Sequence, residues 1–159
     1  MHGDHVAAIG EVRKQWPAIQ LHANNSGAPE KNRVREGEAL AVGDLRVTPR
    51  FTPGHAEDGV TYVIESWPED APAAAVVGDA IFAGSMGGAP NHYQLAREKV
   101  QSAILSLSAE TILCPGHGHA LVRVHVYYYY YYYYYLGFSV GEAACTRAHA
   151  AYRYVKRLC

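Results

Sequence analysis

The chain has 159 residues, of which 49% are hydrophobic, and its formal net charge is −1, which suits one domain with an ordinary core or a piece of a larger one. The small charge argues against binding to nucleic acid, which usually needs a concentrated basic surface. No apolar run approaches the roughly 20 residues that cross a bilayer and no signal peptide opens the chain, so a soluble cytoplasmic protein is the default expectation.

The first five residues concentrate side chains that can bind a metal, namely His2, Asp4 and His5. Apolar residues then recur at near-helical spacing over residues 6–16, and Pro17 closes the pattern. The sequence therefore predicts a helix immediately after a loop that presents two imidazoles and a carboxylate.

The next segments predict mainly strands and turns. Residues 19–23 are short and partly alternating, which predicts a strand, and a turn at 24–27 and a polar loop to about residue 37 follow it. Apolar residues alternate over 40–42 and 45–51 on either side of Gly43-Asp44, which predicts a hairpin.

The remaining pattern is mixed. Residues 60–65, 74–77 and 111–114 are apolar and predict strands, while 93–107 predicts a helix. Between them, the glycine-rich run at 83–88 predicts a loop that shapes a pocket floor. Cys114, within the last predicted strand, is expected to be a buried small side chain.

Three of these strands are followed by a possible metal ligand beside glycine or proline: His55, Asp79 and His117. Loops at strand ends, held by a rigid sheet, are where sites are commonly built. Imidazole and carboxylate suit zinc, iron or manganese. Since His2, Asp4 and His5 alternate around a tight loop, two adjacent ions are the more natural arrangement, and Asp79 can bridge them.

Four motifs in order carry a family resemblance: His2-Gly3-Asp4-His5, Thr52-Pro53-Gly54-His55, Gly78-Asp79 with Phe82-Ala83-Gly84-Ser85, and Pro115-Gly116-His117-Gly118. They resemble the motifs of the metallo-β-lactamase superfamily, in particular its glyoxalase II-like branch of small bacterial metallohydrolases. The resemblance implies an α/β (α+β) domain, an αβ/βα sandwich with a dinuclear, usually zinc, site along one edge of two sheets. Residues 1–119 would form the C-terminal portion of such a domain.

The resemblance also implies a role for each ligand. His2 and His55 would serve the first metal, Asp4, His5 and His117 the second, and Asp79 would bridge them. A metal-bound hydroxide, oriented by Asp4, would then attack an ester, thioester or lactone of a small-molecule substrate. The helical region with which glyoxalase II enzymes hold glutathione has no counterpart here, so that thioester is not supported.

Two alternatives stay open. The first is a sulfur dioxygenase of the same fold, with one iron held by two histidines and an aspartate. The second is a truncated fragment that keeps most ligands without a working site.

The two ends of the chain depart from the family pattern. The family's first motif reads His-x-His-x-Asp-His, and here Met1 stands at the first x, so one ligand of the first metal and the N-terminal half of the sandwich are expected to be missing. An incomplete sequence is preferred over a truncated gene, and either would weaken the first metal site.

Residues 120–159 form a tail of different character, with five basic residues against Glu142 alone and nine consecutive tyrosines at 127–135. A reading-frame shift near residue 119 would explain this composition. The tyrosine run has high β-propensity and no charge, which makes it an aggregation hazard. Three unevenly placed cysteines in the whole chain argue against a disulfide framework.

Overall fold

A computed structural model describes residues 2–24, 28–65, 71–118 and 122–124. In these residues there are two α-helices, α1 (Ile9–Gln15) and α2 (Tyr93–Lys99), and α2 continues directly into a π-helical turn at Val100–Ile104. Short 3₁₀ turns lie at Gly3–His5 and Glu30–Asn32. The strands are β1 (Leu40–Val42), β2 (Leu45–Phe51), β3 (Val60–Ile64), β4 (Ala74–Gly78), β5 (Ile81–Phe82), β6 (Ser85–Met86), β7 (Ile112–Pro115) and β8 (Val122–Arg123).

Six of the strands form one mixed sheet in the order β1-β2-β3-β4-β7-β8. Neighbouring strands are antiparallel except for β4 and β7, which are parallel. The predicted hairpin is confirmed, because Val42 pairs with Leu45 and leaves a two-residue turn in which Gly43 has φ 60°. Such a turn matches the twist of the flanking strands, and glycine adopts its positive φ without strain.

The core lies between one face of this sheet and α2 with its π-helical turn. A parallel pair needs a crossover connection, and the chain from β4 to β7 passes through α2 on that face. Val63, Ala75 and Leu113 lie side by side across β3, β4 and β7 and are at most 2% exposed. They pack with Ile104, which is fully buried.

Three predictions about local structure were wrong in detail. Residues 19–23 form no strand; Ala23 makes only an isolated bridge to Arg33, and Ile19 is 48% exposed, so the apolar alternation there has no sheet to pack on. Helix α1 begins at Ile9 rather than residue 6, because the preceding residues form a separate 3₁₀ turn. The glycine-rich run contains β6, which pairs with β5 in a tight hairpin.

The tyrosine run at 127–135 lies outside the described residues. None of the helices within the described ranges is long and apolar enough to cross a membrane.

Candidate metal centre

The strand directions bring the candidate ligands to one edge of the sheet. Strands β2 and β4 run in the same direction because each is antiparallel to β3, and β7 is parallel to β4. The carboxyl ends of all three strands therefore meet at one edge. His55, Asp79 and His117 follow β2, β4 and β7 respectively, and each is the first ligand-type side chain after its strand.

The other three ligands come from the start of the chain. Asp4 and His5 lie in the 3₁₀ turn Gly3–His5, and His2 immediately precedes it. This tight turn places the three side chains against the sheet edge. The six residues form two groups whose ligand atoms lie within 4.8 Å of one another: His2, His55 and Asp79 in one, and Asp4, His5 and His117 in the other.

Asp79 lies between the two groups. Its Oδ2 is 3.6 Å from Nε2 of His55 in its own group, and 3.1 Å and 3.5 Å from Nε2 of His5 and His117 in the other. The Asp79 side chain is only 10% exposed, so the packing around it restricts the movement of its carboxylate. One carboxylate oxygen therefore faces three imidazoles that arrive from three different parts of the chain.

The first group is oriented by a backbone contact. Nδ1 of His55 donates a hydrogen bond to the carbonyl oxygen of Gly88 at 2.8 Å, since a carbonyl oxygen can only accept. The lone pair of His55 therefore lies on Nε2, which is 3.0 Å from Nδ1 of His2. A fixed tautomer of this kind is a common support for a metal-binding histidine.

The second group is organised around Asp4. Nε2 of His117 donates to Oδ2 of Asp4 at 2.9 Å, and Nε2 of His5 is 3.8 Å from the same oxygen. Desolvation acts to raise the pKa of Asp4, but a backbone hydrogen bond, the hydrogen bond from His117 and the charges of both histidines outweigh it and lower that pKa. Asp4 is therefore a carboxylate, a form that only accepts hydrogen bonds or binds cations.

Two separations in each group lie near those that a small divalent ion requires. Two atoms each 2.0–2.1 Å from a tetrahedral zinc ion lie about 3.3 Å apart. The separations quoted within the groups, 3.0 and 3.6 Å in the first and 2.9 and 3.8 Å in the second, lie on both sides of that value. Four imidazoles and two carboxylates are also the donor types that zinc and iron accept.

Two further observations support the fit. Among the described residues, Oδ1 of Asp79 is the buried side-chain polar atom that has no hydrogen-bond partner. A Cβ atom on Gly116 would lie against this oxygen and 2.6 Å from Cε1 of His5, so only glycine leaves the space beside them open. A buried carboxylate oxygen without a partner is costly, and a cation beside it would remove that cost.

A cleft of about 450 Å³ opens beside the ligands and is lined in part by His2, His5, His55 and Asp79. This is an ordinary size for a small-molecule site. A second cavity of about 460 Å³ lies between residues 13–21 and 28–32 and contains none of the six ligands. Four of the six candidate ligands therefore line the first cleft, and none lines the second.

Some contributors to the site were not predicted from the sequence. The carbonyl oxygen of Gly88 orients His55, and a backbone group carries no residue-type signal. His22 and Tyr62 line the cleft although neither lies in a motif. Their position depends on how the loop before β1 folds against β3, which local pattern does not specify.

Comparison with known proteins identifies metallo-hydrolases among the proteins that this chain is similar to. The chain is 33% identical over 123 residues to a hydroxyacylglutathione hydrolase of Methylobacterium nodulans, which covers 76% of this chain and 46% of that protein. It is 26% identical over 141 residues to the probable metallo-hydrolase YqgX of Bacillus subtilis, covering 74% and 64%. The chain thus spans between about half and two thirds of these relatives. No family model matches the sequence.

Solved structures agree with the sequence relatives. The BLEG-1 B3 metallo-β-lactamase superposes with a TM-score of 0.64 at 22% identity, covering 78% of this chain and 68% of that one. TTHA1623 in a di-iron-bound form superposes with a TM-score of 0.54 at 25% identity, covering 78% and 69%. The chain has the metallo-β-lactamase fold, and its sequence is similar to those of metallo-hydrolases and hydroxyacylglutathione hydrolases.

These comparisons confirm the predicted fold class and the resemblance to glyoxalase II-like proteins. In the metallo-β-lactamase fold of this chain, the candidate ligands lie in the loops that follow β2, β4 and β7 and in the turn before α1.

Proposed function

We propose that the chain provides the catalytic edge of a dinuclear metal-dependent hydrolase that acts on an ester, thioester or lactone. The observation that carries the proposal is the position of Asp79. Its Oδ2 lies 3.1–3.6 Å from the Nε2 atoms of His5, His55 and His117, which is the arrangement expected of a carboxylate shared between two ion sites. The hydrolase and metallo-hydrolase names of the relatives support the same reaction class.

Each group of ligands would hold one ion, the first through His2, His55 and Asp79 and the second through Asp4, His5 and His117. Zinc is the ion that the resemblance implies, with two per chain. When bound, two such ions would activate a water molecule as nucleophile and stabilise the negative charge that develops on the attacked carbonyl oxygen.

The chain's own residues contribute orientation and a proton acceptor. Hydrogen bonding to Gly88 keeps the His55 ring with Nε2 directed towards Asp79 and His2. Asp4 is ionised and exposed along half of its side chain, so it can both bind an ion and accept a hydrogen bond from the attacking water. Positioned carboxylates of this kind commonly contribute about 10² to 10⁴ in rate.

The test is hydrolysis by the metal-loaded chain. The chain is stripped of metal, reconstituted separately with zinc and with iron, and offered a neutral thioester, a lactone and a phosphodiester. The proposal expects turnover of the thioester or the lactone that depends on the added metal and disappears with a chelator. A chain that binds two ions and hydrolyses none of the three would contradict it.

A mononuclear iron dioxygenase is the second candidate, and the donor set is the observation that favours it. Each group contains two histidines and one carboxylate, the combination that holds iron in many oxygen-using enzymes. The similarity to a protein crystallised in a di-iron-bound form also supports iron. The dioxygenase proposal expects protein purified without added metal to carry one iron per chain and to consume oxygen with a persulfide substrate.

A further inference from the structure

The side chains that line the cleft indicate which chemical groups a substrate could place there, which the metal ligands do not. Beyond the ligands, three parts of the chain contribute apolar side chains: the start of α1 and the residues before it, the loop at residues 21–24, and strand β3. The larger apolar residues that these parts supply are Val6, Ile9, Leu21, Val60 and Tyr62. Most of the wall is therefore suited to a hydrocarbon group.

Away from the candidate ligands and the ions that they would hold, the charged side chains of the cleft lining have one sign. Apart from the candidate ligands, Asp58 is the acidic residue of the lining, and none of the described lining residues is lysine or arginine. Arg50, which lies in β2, is engaged elsewhere, because it donates to Ala103 and Ser106 beside α2. A substrate with a carboxylate or phosphate away from its reacting carbonyl would meet Asp58 and apolar side chains rather than a basic partner.

The polar groups that remain are uncharged or weakly charged. His22 and Asn24 line the cleft together with Tyr62. These groups can hydrogen-bond an ether, amide or hydroxyl group of a ligand. They cannot supply the paired cationic contacts with which proteins usually recognise carboxylates and phosphates.

We infer that the cleft selects a neutral acyl group, a medium-length aliphatic ester, thioester or lactone, and disfavours substrates with an anionic acyl chain. The catalytic test of this inference rests on the proposed hydrolase function. The preference of the cleft for neutral ligands does not depend on that function. Transferring an unpaired carboxylate from water to an apolar wall is strongly unfavourable, whereas each buried methylene group improves binding about fourfold.

The catalytic test compares two substrates of matched length, the 4-nitrophenyl ester of hexanoic acid and the 4-nitrophenyl monoester of adipic acid. They differ in whether the chain ends in a methyl group or in a carboxylate. With the zinc-loaded chain, kcat/KM for the hexanoyl ester is expected to exceed that for the adipoyl ester by about tenfold or more, after subtraction of the uncatalysed rates. Equal rates, or a faster adipoyl ester, would overturn the inference while leaving the hydrolase proposal intact.

A binding test separates the inference from catalysis. Hexanamide and the monoamide of adipic acid are added to the metal-free chain, and binding is followed by ligand-observed NMR. Binding of hexanamide alone is expected. Binding of hexanamide without turnover of either ester would support the inference and count against the proposed function, and equal binding of both amides, or binding of neither, would overturn the inference.

A charge placed in the cleft should reverse the preference. Ile9 is half-buried, begins α1 and lines the cleft, so Ile9→Lys introduces the missing cation without altering a ligand. The ratio of adipoyl to hexanoyl kcat/KM is expected to rise about fivefold, as for a partly exposed ion pair. Val42→Lys is the matched control, because Val42 is 56% exposed in β1 and does not line the cleft; a change in the ratio there equal to that of Ile9→Lys would contradict the assignment.

Discussion

Asp79 concentrates the chemistry of the site in one side chain. It contacts histidines of both groups through Oδ2, while Oδ1 is buried and has no hydrogen-bond partner among the described residues. A carboxylate in this position is unfavourable for the metal-free fold and favourable for cation binding. Asp79 is therefore expected to lower the stability of the metal-free chain and to raise its affinity for metal.

Replacing Asp79 by asparagine should separate these two effects. At pH 8 the metal-free Asp79→Asn chain is expected to unfold at the same temperature as the parent or higher, because the buried charge is removed. Its metal affinity is expected to fall by at least about 100-fold, since a shared ligand is lost. Thermal melts with and without zinc measure both. A metal-free variant that is much less stable, with unchanged zinc affinity, would show that Asp79 is a structural residue.

Gly116 offers a test that leaves every ligand in place. A methyl group at this position would lie against Oδ1 of Asp79 and 2.6 Å from Cε1 of His5, so Gly116→Ala should push the two side chains apart. We expect zinc affinity to fall about 10- to 100-fold in a competition titration. Gly10→Ala is the control, because a Cβ there meets nothing within 4 Å and Gly10 does not line the cleft. Equal losses in the two variants would rule out the steric explanation.

Cys114 lies in β7 immediately before the loop that carries His117. Burial raises the pKa of its thiol, so less thiolate is present near neutral pH and reaction with a disulfide reagent should be slow. The reaction rate of Cys114 is measured against pH in a chain with Cys145→Ser and Cys159→Ser. The pH at which this rate is half its maximum is expected to be higher in the native chain than in denaturant. A native midpoint at or below the denatured one would contradict this environment.

At the scale of elements, the site depends on how β2, β4 and β7 are fixed by the core. The face of the sheet that packs on α2 contains Val63, Ala75 and Leu113, and the π-helical turn adds Ile104, which is fully buried. Loops can hold ligands at fixed separations only when the strands before them are rigid. Packing on this face therefore helps to hold the candidate ligands, which follow the carboxyl ends of these strands, at fixed separations.

Ile104→Ala should destabilise the fold by about 2–5 kcal/mol, because it removes buried methyl groups and leaves a cavity. Chemical denaturation of the metal-free chain measures the loss. Leu95→Ala is the matched control, since Leu95 is 38% exposed on α2 and should change stability by less than about 0.5 kcal/mol. Similar losses in the two variants would argue against the assigned core.

Sequence pattern predicted the strands better than the segments that flank the site. Strands β3, β4 and β7 are short apolar runs between turn residues, and all three are confirmed. Residues 19–23 have a similar pattern but lack a neighbouring strand, and alternation alone cannot reveal that. His55, Asp79 and His117 were predicted as candidate ligands by their position after strands, and His2, Asp4 and His5 by their clustering before a helix. The contact of His55 with the Gly88 carbonyl instead depends on a tertiary approach of two loops.

At the scale of the whole molecule, one feature follows from topology. Because β2, β4 and β7 point in the same direction, their following loops converge with the turn at Gly3–His5 on one edge of the sheet. The ligands are thus assembled from residues more than 110 positions apart, as the contact between Asp4 and His117 shows. Metal binding should consequently stabilise the fold as a unit, because it links the start of the chain to three strand ends.

Anomalous diffraction from crystals of the zinc-loaded chain would show directly whether this edge of the sheet holds two metal ions. We expect two peaks about 3.5–4 Å apart, one among His2, His55 and Asp79 and the other among Asp4, His5 and His117, with Asp79 beside both. Full occupancy of zinc elsewhere, or no peak at this edge at saturating zinc, would contradict this expectation.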